Sequence, residues 1–156
     1  MNAVLITGAC KNTGVAIVKK FAAKGKNVIF TGRNLESVRD MQNKYCEEFP
    51  NVNISGYQIN SLNEDNSIDE KSVRALFEDL DKKEIFIETL VLNAADQGLN
   101  MEIFKNPITD FMRVINTNVV WNYCMAENAA KRMKDNGNGN IIFINSNTAY
   151  RAIPNR

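Results

Sequence analysis

An α/β fold built on a doubly wound parallel sheet is the architecture this sequence predicts, and three observations carry it. Short β-rich runs alternate with longer helical patterns along the whole chain. The first run, Ala3–Thr7, breaks at Gly8 and passes through Ala9-Cys10-Lys11-Asn12-Thr13-Gly14 into a helical pattern carrying Val15, Ala16, Val18, Phe21 and Ala22. That is how a parallel strand hands over to a helix whose N-terminal amides can hold a phosphate. The runs Leu90-Val91-Leu92 and Ile141-Ile142-Phe143-Ile144 are continuously apolar, as expected of strands covered on both faces.

Taken in order, the predicted strands are Ala3–Thr7, Asn27–Thr31, Asn53–Ile59, Thr89–Asn93 and Ile141–Asn145. The first helix follows Gly14 and stops near Gly25, a suitable left-handed terminator. In the second, Leu35, Val38, Met41, Tyr45 and Phe49 share a face, Asn34 is placed to cap and Pro50 to stop. Ser67 and Glu70 have capping-box spacing before a third face of Val73, Leu76, Phe77 and Leu80. The fourth helix is long, from about Ile108 to Met133, with Phe111, Met112, Ile115, Val119, Ala126 and Ala129 spaced for burial. Asp135-Asn136-Gly137-Asn138-Gly139 turns the chain into the last strand. Short strand–helix connections imply right-handed crossovers, and in such a sheet ligands sit beyond the carboxyl ends of the strands. Thr7–Gly14, Thr31–Asn34, Asn60, Asn93–Asp96 and Ser146–Tyr150 therefore fall along one rim.

The chain has 156 residues, 44% hydrophobic and 24% charged, with a net charge of +1. That supports one core and a single domain over residues 1–156, and gives no electrostatic case for nucleic acid or membrane as a partner. No segment reaches the apolar length of a membrane helix. Met1-Asn2-Ala3 opens without the features of a secretory signal, so a reducing cytoplasm is the expected setting. Histidine is absent, which excludes His-based triads, His-ligated metals and a His general base, and no metal site is expected. Cys10, Cys46 and Cys124 are too few and too widely spaced for a disulfide framework or a zinc knuckle; Cys10 reads as small filler in the first loop, and Cys46 and Cys124 as packing. No Gly-Lys-Ser/Thr follows the glycine loop, so it is not a nucleoside-triphosphate loop. After the second strand, in Thr31-Gly32-Arg33-Asn34, an arginine stands where an acid would bind the ribose hydroxyls of NAD; arginine suits the additional phosphate of NADP, and Lys11 could supply a second positive charge.

Several segments together resemble the short-chain dehydrogenase/reductase family. Thr7-Gly8-Ala9-Cys10-Lys11-Asn12-Thr13-Gly14 is similar to its Thr-Gly-x-x-x-Gly-x-Gly loop, with Asn12 in place of the middle glycine. Leu92-Asn93-Ala94-Ala95 is similar to the Asn-Asn-Ala-Gly segment, Asn118-Val119 to the helix asparagine, and Ile141-Ile142-Phe143-Ile144-Asn145-Ser146 to the strand ending in the catalytic serine. The resemblance implies a Rossmann-type doubly wound parallel sheet in the order 3-2-1-4-5, incomplete at its C-terminal side. It implies Thr7, Gly8, Lys11, Asn12, Thr13, Gly14, Arg33, Asn60, Asn93 and Ala94 as cofactor-binding residues, with NADP(H) favoured and NAD(H) possible. Ser146 would orient the substrate oxygen, and Asn118 would anchor a water in a proton relay. The substrate would be a small molecule carrying a carbonyl or an alcohol, and the full-length protein a homo-oligomer.

The family's Tyr-x-x-x-Lys pair has no counterpart here: the residues four beyond Tyr45, Tyr57, Tyr123 and Tyr150 are Phe49, Ser61, Glu127 and Pro154. Counting from Ser146, the resemblance puts that tyrosine just past Arg156, so the chain is expected to be the N-terminal part of the family's domain and inactive alone. Its last strand would then be an open apolar edge, giving a marginally stable, poorly soluble chain. Two other readings stay open. One is a non-catalytic dinucleotide-binding or sensing module; the other is an S-adenosylmethionine-dependent methyltransferase, a class that usually wants an acid where Arg33 stands.

Overall fold

Leu5 and Leu90 point to one side of a sheet while Val4, Ile6 and Val91 point to the other, and this two-faced burial organises the chain. The computed structural model describes residues 1–147, 150 and 151; Thr148, Ala149 and Pro154, which the sequence reading touched, lie outside the described residues. Strands β1 (Asn2–Ile6), β2 (Asn27–Gly32), β3 (Ile54–Gln58), β4 (Phe86–Leu92) and β5 (Asn140–Phe143) run parallel in the order β3-β2-β1-β4-β5. This is the predicted order, that of a Rossmann-type sheet.

Helices α1 (Asn12–Ala22) and α2 (Leu35–Glu48) cover one face through Val18, Ala22, Val38 and Tyr45. Helices α3 (Glu70–Lys82) and α5 (Asn122–Asp135) cover the other through Val73, Leu76, Phe77, Leu80, Met125, Ala129 and Met133. Between them α4 (Ile108–Ile115) runs into α5 through a π-helical segment, Asn116–Trp121. On the outer surface Arg132 pairs bidentately with Asp81, Nε to Oδ1 at 2.9 Å and Nη2 to Oδ2 at 2.7 Å, while stacking 4.9 Å from the Phe77 ring centroid. α3 and α5 are tied side by side in this way.

Local signals explain the helix ends. Asn34 caps α2 as expected, its Oδ1 accepting the Ser37 N–H at 2.8 Å. α1 closes with Gly25 N–H on the Ala22 carbonyl at 2.9 Å and Lys26 N–H on that of Phe21 at 3.1 Å, the paired bonds of a Schellman end. α3 departs from expectation. Its cap is Asp69, which accepts the Ser72 N–H at 3.0 Å, whereas Ser67 is held in a local turn by Asp65 at 2.9 Å. The nearer carboxylate won the helix amide, and the Ser67–Glu70 capping box does not form.

The long helix differs more. Phe111, Met112 and Val119 are exposed, and the buried residues are Asp110, Thr117, Trp121, Asn122, Cys124, Met125, Ala129 and Met133. Two apolar stripes exist on this helix, and the one facing the sheet is disguised by polar residues that find partners there. Asp110 pairs with Arg113, and Thr117 Oγ1 meets Ser61 Oγ at 3.4 Å. Cys46 is exposed rather than packed, its thiol meeting the Ile54 carbonyl at 3.6 Å, while Cys124 is buried. β4 begins three residues earlier than its apolar core suggested, because Phe86 N–H pairs with the Met1 carbonyl at 2.8 Å.

β5 pairs only with β4 among the described residues, and Ile142, Phe143 and Ile144 are exposed, Phe143 to 58%. Its continuous apolar run is thus not covered on both faces. Such an edge templates further strand pairing, so the chain should self-associate with rising concentration. Sedimentation equilibrium is expected to show the average mass climbing above the monomer value and returning toward it in Phe143→Lys. A second expectation concerns alkali. Burial holds the Tyr45 phenol well above the ordinary tyrosine range, and neighbouring Cys10 and Glu48 push the same way. The folded state therefore keeps this proton more tightly than the unfolded chain. Its contribution is complete below the unfolded value near 10.0 and declines as pH rises above it. Tyr45→Phe should flatten the stability–pH curve in that range, read by denaturant titration.

Candidate functional site

Thr7, the residue after β1, is fully buried, and its hydroxyl oxygen accepts two backbone amides, Asn93 N–H and Ala94 N–H, both at 3.0 Å. Asn93, the residue after β4, reciprocates: its Nδ2 donates to the Thr7 carbonyl at 3.0 Å and to the Gly8 carbonyl at 3.1 Å. The carboxyl ends of β1 and β4 are thereby cross-pinned. From β2, the Thr31 carbonyl accepts Ala9 N–H at 2.9 Å and its Oγ1 the Gly8 N–H at 3.4 Å.

Close approach explains the two glycines. Gly8 has φ +66°, and a Cβ there would stand 2.8 Å from Ala94 Cα. A Cβ on Gly14 would stand 2.5 Å from the Gly8 carbonyl oxygen and 2.9 Å from Asn93 Nδ2. α1 therefore starts directly on the loop, at a distance no side chain permits. Asn12, where the resembled motif has its middle glycine, has φ +51°. Asparagine is among the few residues that enter this left-handed region readily, so the backbone path survives the replacement.

The polarity of the loop follows. The Thr7 and Gly8 carbonyls are taken by Asn93, and the Ala9 carbonyl accepts the Tyr45 hydroxyl at 2.7 Å. Meanwhile the first turn of α1 carries no acidic residue, and its N-cap, Lys11, makes no side-chain capping bond. The loop's acceptors are occupied from within and the helix's first amides are left for an outside acceptor, which makes a site for an anion. Lys11, Asn12 and Thr13 are exposed around it.

Arg33, exposed after β2, lines with Arg39, Glu36, Asp40 and Gln58 an open depression of about 570 Å³. Arg39 escaped the sequence reading; its position one helical turn beyond Leu35, six residues after Arg33, is the signal that could have found it. Asn60 is exposed just past β3, after Ile59, whose N–H bonds the Gly32 carbonyl at 2.9 Å. Cys10 lies in the space that Gly32 leaves, and burial pushes its thiol up, away from the reactive thiolate.

The loop after β4 is fixed by charges that hydrophobic patterning could not reveal. Asn118 Oδ1 accepts Asp96 N–H at 2.7 Å, and its Nδ2 donates to the Asp96 carbonyl at 2.8 Å. Its amide is thus engaged at both ends by backbone. The Asp96 side chain accepts Gly98 N–H at 2.9 Å, and Asp110 accepts Leu99 N–H at 3.2 Å. Arg113 bridges both carboxylates. The sequence reading missed this network, although the three-residue spacing of Asp110 and Arg113 on a helix is a signal that could have found half of it. Ser146 is exposed three residues past β5, its N–H bonded to Asn145 Oδ1 at 2.8 Å. Thr7, Gly8, Gly14, Asn93 and Ala94 are thus brought together and Asn118 holds the same post-β4 loop through Asp96, while Lys11 is exposed on the first loop and Arg33 and Asn60 stand on other loops of the same rim. Among the described residues no group of three or more His, Cys, Asp or Glu side chains could hold a metal ion, and no helix is long and apolar enough to cross a membrane.

A parallel sheet with this order and this first loop defines a nucleotide-binding α/β protein. The chain belongs to the short-chain dehydrogenase family, whose model matches residues 2–156. It is 28% identical over 142 residues to the 3alpha-hydroxysteroid dehydrogenase of Mediterraneibacter gnavus, covering 91% of this chain and 54% of that protein. Among solved structures, ElxO with NADP bound is 29% identical with a TM-score of 0.81, covering 98% of this chain and 58% of the other. An NAD+-bound xylitol dehydrogenase shares the fold at a TM-score of 0.85 and 22% identity, covering 99% and 56%. The chain spans about half the length of the curated relatives it matches. The family is one of oxidoreductases acting on small-molecule alcohols or carbonyls.

Arg113→Ala would strand Asp110, which is 7% exposed, beside Asp96 with no counter-charge. Loss of a buried pair's partner predicts a destabilisation of about 2–4 kcal/mol, read from the denaturation midpoint. Arg113→Lys should recover only part of it, since one ammonium cannot span both carboxylates as a guanidinium does.

Proposed function

We propose that this chain is the cofactor-binding part of an NADP(H)-dependent oxidoreductase working on a carbonyl or alcohol carbon. One observation carries the reading: the Thr7, Gly8 and Ala9 carbonyls are all occupied by internal donors, beneath a helix start that has neither a side-chain cap nor an acid. That arrangement favours the diphosphate of a dinucleotide, and the close internal packing at Gly8 and Gly14 sets the start of α1 directly against the loop. Bound there, a nicotinamide dinucleotide supplies or accepts the hydride.

The chain's own residues then divide the work. The amides of Lys11, Asn12 and Thr13 meet the diphosphate. Arg33, with Lys11, pairs with the 2′-phosphate, and Arg39 beside Arg33 adds a further positive charge. Asn60 hydrogen-bonds the base edge. Asn93 and Ala94 form the wall beside the loop. Ser146 donates its hydroxyl to the substrate oxygen and stabilises charge developing there. Asn118 acts through Asp96, keeping the post-β4 loop in place, a role its doubly engaged amide suits better than holding a water.

The acid–base tyrosine has no counterpart within these residues, since none of the four tyrosines is followed by lysine at the fourth position. This favours a second reading for the chain by itself, a dinucleotide-binding or sensing module. Calorimetric titration tests both. NADPH is expected to bind about tenfold more tightly than NADH, and Arg33→Asp to abolish that preference, about 1.4 kcal/mol. S-adenosylmethionine should not compete. If neither dinucleotide binds, both readings fall, and turnover of a ketone or alcohol by the chain alone would remove the module reading.

A further inference from the structure

Tyr45 was legible in the sequence only as an apolar position of α2, yet its hydroxyl reaches out of that helix to the first loop. The ring is fully buried and packs edge-on against Phe30, centroids 5.3 Å apart at 87°. A phenylalanine would fill the same volume. The hydroxyl adds a polar atom that must be satisfied in the interior, and its partner is the Ala9 carbonyl at 2.7 Å, thirty-six residues earlier in the chain. Ala9 is thus held from both sides, its N–H by β2 through the Thr31 carbonyl at 2.9 Å and its carbonyl by α2.

A trans peptide is planar, so the carbonyl of one residue and the N–H of the next point in opposite directions. Fixing the Ala9 carbonyl toward Tyr45 therefore fixes the Cys10 N–H away from it. We infer that Tyr45 is a positioning residue for ligand binding at the first loop: it sets the orientation of the Ala9–Cys10 peptide, turning an acceptor inward and a donor outward at the start of the anion site. Asn12, three residues on, already holds the loop in the left-handed region at φ +51°. With the hydroxyl gone, the Ala9–Cys10 unit is the part of the loop free to rotate, and rotation would aim a carbonyl at the ligand. The ligand class rests on the dinucleotide reading above; the orientation of the peptide does not.

Tyr45→Phe, which removes a single oxygen from the full chain, is the test. NADPH affinity measured by calorimetry should weaken about five- to tenfold, the worth of one neutral hydrogen bond at a preorganised site. In nucleotide-free protein, amide exchange at Cys10 should slow by a similar factor, as rotation carries its outward N–H inward, while α2 and β1 amides keep their protection. Phe30→Leu serves as the matched control: it loosens the same packing without touching the hydroxyl, and should lower thermal stability with NADPH affinity unchanged. A Tyr45→Phe protein that melts earlier but binds NADPH normally and shows unchanged Cys10 exchange would overturn the inference. If wild-type chain binds no NADPH, the dinucleotide reading falls, and Cys10 exchange still decides the role of Tyr45. Should Tyr45→Phe fail to fold, carbon and nitrogen chemical shifts of the wild type decide. NADPH should then move the Cys10 amide and leave the Ala9 carbonyl still, and movement of that carbonyl would refute the assignment.

Discussion

Two neighbouring carbonyls at the end of β1, those of Thr7 and Gly8, share a single amide nitrogen, the Nδ2 of Asn93. Much of the rim depends on that shared donor. Carbonyls at the end of a central strand must turn away from the ladder, and left unpaired they would cost the desolvation of each group. Asn93 satisfies both from the neighbouring strand, and Thr7 answers by accepting the amides of Asn93 and Ala94. With its acceptors settled internally, the loop needs no water or side chain from α1, so α1 can begin against it with only a hydrogen atom of clearance at Gly14. The uncapped, acid-free start of α1 is the by-product of this economy in space.

A second layer of constraint lies one strand further on. Asp96, Arg113, Asp110 and Asn118 anchor the post-β4 loop at the Asp96, Gly98 and Leu99 backbone, and they draw on α4 and the π-helical segment to do so. A charge network on a partly buried helix stripe is a costly way to hold a loop, since each carboxylate must be desolvated and then matched. Its advantage is directional: hydrogen bonds fix where a backbone goes, whereas apolar contacts fix only how close it comes.

Much of this was legible in the residues because local and global preferences agree. Leu90-Val91-Leu92 reads as a strand used on both faces and is one; Asn34 reads as a cap and is one; the parallel sheet followed from the alternation of short apolar runs with helices, and its order from the family resemblance. What misled was competition between equivalent signals. Ser67 and Asp69 both offer an oxygen to α3, and nothing in the residue order says which is nearer. Along the long helix, Phe111, Met112 and Val119 advertise one stripe while Trp121, Met125, Ala129 and Met133 form another, and the second is interrupted by Asp110 and Thr117. Hydrophobic periodicity scores polar residues against burial, so a stripe whose polar members are satisfied by partners distant in sequence is invisible to it. For the candidate site, the loop residues were readable because their spacing reflects backbone sterics. Arg39, Arg113 and Tyr45 were not, because their importance lies in what they reach across space.

Asn12 has a consequence that belongs to the free loop rather than the bound one. A glycine at that position could wander over both halves of the backbone map before any ligand arrived, and ordering it would be charged against affinity at each encounter. Asparagine has fewer conformations to surrender, so the loop is closer to its working shape in advance and less able to reshape itself around something else. The trade is adaptability for readiness: the loop holds one backbone outline in advance, at the expense of freedom to adopt others.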